Sequence, residues 1–512
     1  MKTISLNNFS NGIQEPRTRV TGGCISSRHF ILGTTKLKPY RDMETEAVDG
    51  GATLANQRLS SAIRYKCTGQ SETIYALGQV STTNQYPKFY LKATTNDPTA
   101  SFSSLANGED TTGVVIPGTL TGYKGFLFCL KSKSGSTYLV KHEHGVATTE
   151  IGAIGTSPVN GVVPQILIHP KDNKMYIASG NEVKTYDGSS LSSVVTFSTE
   201  HEITSTTHYG NNILLGMVAK NGAGSVVGVW SGETTINTLI DVVSWGSDTL
   251  MILENIGDIV VGISSMSVGG TTDVAVVSNV TFRTYAGGTA QTVRTIESVG
   301  SLGSRVFPRK AKRNDSVFFP MFVYLNGVLT KQIWSVYKNA QGSLVIVPDR
   351  KPSNDTELTG AEDIIGLSMI GDWMWVAWAI EAAPSTTGAF YRTNNSDTYT
   401  ATSSYTTLVN PGMPLEDCSK EKVLRQVTVR YGSPTGASMS FNVDYSVDGG
   451  TVYQTATAVV GSTDKIGVVE ATNQTDESPY LSGREFIFNL ELTGYGEIYE
   501  IIYKYDIINT TL

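Results

Sequence analysis

The residues best suited to chemistry fall in a few short clusters. His142-Glu143-His144 offers two imidazoles two positions apart. On a strand both would point to one face, which suits two ligands of a metal ion. No third ligand stands at a matching spacing, so a polar surface strand is the expectation and no metal is assigned. Arg305-Val306-Phe307-Pro308-Arg309-Lys310-Ala311-Lys312-Arg313 is dense in cations for an acidic chain. Arg305, Arg309, Lys310, Lys312 and Arg313 are therefore candidates for contact with a phosphate or with an acidic face of another subunit. A solvated loop between repeats would carry the same charges. Trp373-Met374-Trp375-Val376-Ala377-Trp378 puts Trp373 and Trp375 on one strand face. Such a pair stacks on sugar rings or, more often, packs in a core.

Ser446-Val447-Asp448-Gly449-Gly450-Thr451-Val452-Tyr453 resembles the Asp-box hairpin of sialidases, with Tyr453 in the place of its Trp. There the motif is a turn and carries no catalysis, so a glycine-rich hairpin is the expectation. Usable Gly-x-Ser-x-Gly, His-Glu-x-x-His, phosphate-loop and dinucleotide motifs are missing. Acidic residues are plentiful, but nothing in their spacing selects a glycosidase pair. No catalytic residue and no cofactor is assigned, and the chain reads as a non-enzyme.

Those clusters need a scaffold, and composition bounds it. The chain has 512 residues, 40% hydrophobic and 17% charged, with a formal net charge of −7. That length can bury a large core without disulfides or metals. The acidic balance argues against a protein that lives by gripping DNA phosphates. Cys24, Cys67, Cys129 and Cys418 form no Cys-x-x-Cys pair and read as buried thiols. The N-terminus lacks the apolar stretch of a secretory signal, and no apolar run reaches about 18 residues, so no membrane span is expected.

Nearly every readable segment looks like strand: short runs rich in Val, Ile, Tyr, Phe and Thr, broken by Gly, Asn, Asp or Ser. A loose repeat of turn, strand, turn and aromatic-ended strand recurs at Gly122–Tyr138, Asp172–Tyr186, Gly210–Trp230, Gly257–Tyr285, Asn314–Tyr337 and Gly371–Tyr391. A weaker unit starts near Gly69. The period averages about 50 residues, the length of a propeller blade. The fold class expected is all-β: an irregular β-propeller of five to seven blades over residues 69–400, then a C-terminal β-sandwich over 401–512. A large sandwich or two stacked barrels is the competing architecture. Residues 1–68 fit neither pattern and read as an extended N-terminal arm or platform segment.

The two ends of the chain carry a resemblance. Leu6-Asn7-Asn8-Phe9-Ser10-Asn11-Gly12-Ile13 and Leu37-Lys38-Pro39-Tyr40-Arg41 are similar to the opening of tail and head-closure proteins of tailed bacteriophages. Asn11 stands where those proteins carry the first Gly of a Gly-Gly pair, and Lys38-Pro39-Tyr40-Arg41 replaces their Arg-Pro-Gly. Gly483-Arg484-Glu485-Phe486-Ile487-Phe488 and Gly496-Glu497-Ile498-Tyr499-Glu500-Ile501 are similar to their last hairpin. With an irregular propeller between these ends, the whole resembles the tail nozzle (tail tubular protein B) of short-tailed phages.

The resemblance implies a structural virion protein of the tail, assembled in the host cytoplasm. It implies a homohexameric ring that touches adaptor proteins and tail fibres and lets DNA pass without tight binding. Phe9, Gly12, Ile13, Pro39 and Tyr40 then become candidates for contact between subunits. A glycan- or receptor-binding propeller of the tail is the alternative, and a propeller glycoside hydrolase the third.

Overall fold

A computed structural model describes residues 2–6, 26–28, 30–31, 37–39, 41, 43–46, 58–81, 83–92, 97–158, 162–170, 172–221, 223–231, 239, 241–265, 277–285, 288–300, 309–325, 328–339, 342–350, 362–380, 388–393, 403–408, 420–432, 439–447, 452–460, 466–472 and 482–507. Among them every regular element is a β-strand. The chain divides into two compact units. One comprises residues 44–332 and 357–393, the other residues 1–43, 333–356 and 394–512.

The first unit is built on repeated antiparallel sheets, each laid down in chain order. Blade 1 runs Ser61–Tyr65, Thr73–Gln79, Pro87–Lys92 and Phe102–Glu109. In blade 2, Val114–Val115 and Thr121–Tyr123 share the first position beside Phe126–Lys133, followed by Ser136–His142 and Thr149–Thr156. Blades 3, 4 and 5 span Gln165 to Thr196, His201 to Gly246 and Thr249 to Gly300, with four strands each. Blade 6 runs from Ala311 to Arg350, of which residues 333–350 are counted with the other unit. Blade 7 takes Glu362–Ile370, Trp373–Ile380 and Gly388–Thr393, and its fourth strand is Met43–Thr45. The first strand of blade 7 packs beside the first strand of blade 1, which closes the ring. Among the described residues these sheets make seven blades, and the fold of this part is a β-propeller.

The turn between first and second strand repeats one device in every blade. Gly69, Gly125, Asn173, Gly210, Gly257, Asn314 and Gly371 all have positive φ, between 50° and 84°. Glycine takes that conformation without steric cost and asparagine tolerates it, so the repeat visible in the sequence is a repeat of turn geometry. The cores lie between blades rather than within them. Leu59, Ile74, Tyr90 and Phe102 of blade 1 pack on Trp375, Ala377 and Phe390 of blade 7. Tyr75, Leu77 and Phe89 pack on the other side, against Leu127, Cys129 and Val140 of blade 2. A strand covered on both faces loses polar alternation, which is why Thr73–Gln79 and Met175–Ser179 are buried throughout. Each fully buried Leu, Ile or Phe contributes about 2 kcal/mol. Cys67 and Cys129 are buried free thiols, as their scatter implied.

The second unit contains two five-stranded sheets. One orders Lys2–Leu6, Glu497–Ile507, Lys422–Gly432 and Ile466–Thr472, with Ser482–Gly483 also paired to Lys422–Gly432. The other orders Ser26–Arg28, Ser403–Leu408, Phe486–Gly494, Met439–Val447 and Val452–Val460. Phe488 of one sheet meets Tyr503 of the other with ring centroids 3.8 Å apart. Lys422–Gly432 carries a bulge between Leu424 and Gln426, so Val423 and Leu424 are both buried. The glycine-rich turn at Asp448–Thr451 lies outside the described residues, but the strands it joins pair as a hairpin, with Ser446 opposite Val452.

Among the described residues of 1–68, Lys2–Leu6 and Ser26–Arg28 are edge strands of the two sandwich sheets, Met43–Thr45 is the last strand of blade 7 and Ser61–Tyr65 is the first of blade 1. Strands of three to five residues are too short to show a period, which hid them in the sequence.

Candidate functional site

The two phrases at the chain ends come together. Leu37 and Ile498 exchange backbone hydrogen bonds, each amide donating to the other carbonyl at 3.0 Å. Leu37 and Ile498 are fully buried. Lys38–Pro39 pairs with Phe30–Ile31, so Pro39 sits in a two-stranded ribbon. Lys2–Leu6 runs along the same C-terminal strand, with Leu6 opposite Ile501. Of the residues proposed for subunit contact, Phe9, Gly12, Ile13 and Tyr40 lie outside the described residues. The sandwich sheets end in Lys2–Leu6 and Ile466–Thr472, and in Ser26–Arg28 and Val452–Val460. An edge strand presents a row of backbone donors and acceptors to a further strand.

The basic run is taken up largely by the propeller itself. Arg305 lies outside the described residues. Arg309 is only 7% exposed and donates Nε to the Ile365 carbonyl of blade 7 at 3.0 Å. Burial pushes its guanidinium down to about 9. Lys310 reaches the first strands of blades 4 and 5. Its ammonium donates to the Thr206 carbonyl at 2.9 Å and the Leu253 carbonyl at 2.6 Å, and pairs with Glu254 at 2.8 Å. Lys312 stands 3.7 Å from the same carboxylate. Burial alone would raise the Glu254 carboxyl, but the two ammonium groups outweigh it and hold it below its ordinary range. Arg313 pairs with Asp372 at the surface, at 2.6 Å. Charge density in a sequence does not distinguish a solvated cation from one that ties blades together.

A third cluster fixes the closing strand of blade 7. Glu46 follows directly on that strand, and its amide donates to the Phe390 carbonyl at 2.8 Å. Its buried carboxylate accepts from Lys92 at 2.7 Å, from the Trp375 indole at 2.8 Å and from Arg392 Nε at 3.4 Å. Glu44 also pairs with Arg392. Burial brings the Lys92 ammonium down to about 8 despite the adjacent carboxylate. Trp373 stays half-buried under the Arg392 guanidinium, 5.5 Å away. The aromatic strand Trp373–Ile380 is therefore mainly core. Sequence reasoning passed over Glu46, since one carboxylate in a short acidic stretch carries no signal.

His142 is not a surface residue. It is fully buried and stacked on Phe89, with ring centroids 5.1 Å apart and 19° between planes. Both ring nitrogens are buried without a partner. Burial, reinforced by His144, lowers the imidazole to about 4. Among the described residues, no group of three or more His, Cys, Asp or Glu is placed to hold a metal ion.

No protein-family model matches the sequence, and no curated protein does. Among solved structures the chain is similar to the β-propeller domain of Cps50 (Swd1) from Myceliophteria thermophila. The identity is 9%, over 67% of this chain and 97% of that one, with a TM-score of 0.39. It is similar at 9% identity to the β-propeller domain of the Trilobed protease from Pyrococcus furiosus, over 66% and 93% of the two chains, with a TM-score of 0.36. An exo-beta-1,3-galactanase from Phanerochaete chrysosporium is 10% identical over 91% of this chain and all of its own, with a TM-score of 0.31. Such likeness bears on fold alone, and a propeller hosts many unrelated functions.

Proposed function

We propose that the chain is a structural protein of a tailed-phage virion, a nozzle or head-to-tail connector ring through which DNA is ejected. The observation that carries this reading is the pairing of Leu37 with Ile498. These residues belong to the opening and closing phrases that resemble phage tail proteins. The two phrases lie more than 400 positions apart and build one element, which supports reading them together.

The edges of the sandwich sheets suit assembly. Strand addition at an open edge joins copies through main-chain hydrogen bonds without a dedicated pocket. The net charge of −7 suits a conduit, because an acidic wall repels the DNA backbone and weakens sticking. In this reading the partners are further copies of the chain, adaptor proteins and fibres. DNA is a passenger.

The test is quantitative mass spectrometry of purified particles, with the copy number of this chain set against the portal protein. A ratio near one half places it as a ring on the tail axis. Absence from particles ends the virion reading.

A further inference from the structure

Among the described residues, two arginines of the propeller unit have no counter-ion. Arg58 precedes blade 1, and its Nε is buried without a partner. It holds a φ of 41°, a conformation that side chains other than Gly, Asn and Asp seldom take. Strain of this kind collects where a side chain must be aimed. Arg58 lines a cavity of about 160 Å³ together with Gln79, Gln85, Val115, Pro117 and Ile365. No carboxylate is among the residues that line it. Arg309 borders the same wall: its Nε holds the Ile365 carbonyl, and its buried Nη1 has no partner.

Four buried cations are treated differently. Lys92, Lys131, Arg350 and Arg392 each have a carboxylate within 3.5 Å. The Arg309 guanidinium and the Nε of half-buried Arg58 are left without an anion at some cost, so an anion supplied from solution would gain by entering. The cavity is too small for a drug-sized ligand, which needs about 300 Å³ or more. It does suit one small anionic group. A guanidinium fork matches two oxygens of a carboxylate or a phosphate, and a glutamine amide adds a neutral donor.

We propose that this cavity binds a small oxyanion, a phosphate or a carboxylate group, with Arg58 as its charged ligand, Gln85 as a neutral one and Arg309 charging the wall behind. The site is independent of ring assembly and stands or falls separately from the virion reading.

The experiment is isothermal titration calorimetry on the full chain, with inorganic phosphate in one arm and acetate in the other. Saturable binding at one site per chain is expected in at least one arm, and the arm that binds identifies the anion class. Arg58→Gln is expected to weaken it at least tenfold. Gln85→Ala, which removes a half-buried side chain, is expected to weaken it severalfold with an unchanged circular dichroism spectrum. It carries the test if Arg58→Gln fails to fold. Heat without saturation in both arms overturns the proposal. So does binding that neither variant weakens.

Discussion

Trp375 donates its indole hydrogen to Glu46 at 2.8 Å, a bond that joins residues 329 positions apart. It ties the second strand of blade 7 to the segment that ends its fourth. The same carboxylate neutralises Lys92 in blade 1, so one side chain serves both the last blade and its junction with the first. Glu46→Ala would leave Lys92 and Arg392 buried beside an empty site. A loss of about 3–5 kcal/mol is expected, measured by denaturant unfolding of the full chain. Glu46→Gln keeps the volume and an acceptor for the indole, and is expected to cost less. Equal stability of Glu46→Ala and the parent would show that the cluster does not hold the closure.

His142 gives the protein an acid-sensitive component. Its pKa is about 4 in the folded chain, against 6.5 ordinarily. Between these values the unfolded chain binds a proton that the folded chain does not, so stability falls as pH falls through the window. The full effect is about 3 kcal/mol. His142→Phe keeps a ring against Phe89 and removes the titration. The difference in unfolding free energy between parent and variant should change with pH from 6.5 to 4. A constant difference would refute the assignment.

Gly366 marks the seam of the ring. A Cβ there would overlap the Ser60 carbonyl oxygen, which is backbone and has nowhere to retreat. Gly366→Ala is expected to cost about 3 kcal/mol or to abolish folding. Gly371→Ala, five residues on, meets open space and is strained only by its φ of 59°. It is expected to cost about 1 kcal/mol. Thermal unfolding of the two variants checks the order.

Two members of the basic run should respond unequally to removal. Lys310→Ala strands the largely buried Glu254 carboxylate and is expected to destabilise by about 2 kcal/mol. Arg313→Ala removes a pair whose partner Asp372 is 85% exposed, and should stay within about 0.5 kcal/mol. Similar losses in the two variants, by chemical denaturation, would contradict the geometry.

What was legible in the sequence was whatever repeats. The Gly and Asn turns recur because each blade needs one left-handed residue at the same corner, and so the weak unit near Gly69 is a true blade. What repeats once, or not at all, stayed hidden. Met43–Thr45 has three residues and no period, yet it completes blade 7. Arg309 and Lys310 looked like surface charge because sequence shows valence but not burial. Arg58 gave no signal, since sequence shows neither its backbone angle nor the cavity it lines. His142 was grouped with His144 by spacing, although the strand ends between them and only one enters the core.

The closing strand of blade 7 has a consequence for biosynthesis. Met43–Thr45 leaves the ribosome first, and its partner strand Gly388–Thr393 leaves more than 300 residues later. At about 5–20 residues per second, Glu46 emerges roughly 15 to 65 seconds before Trp375. Throughout that interval the nascent chain carries an unmatched strand and a carboxylate without its indole. Blades 1 to 6 can form in order of translation, but the ring locks only once residue 393 has been made. Rare codons or a pause ahead of residue 393 would lengthen the exposure of that strand, and a chain truncated before it would have no ring to close.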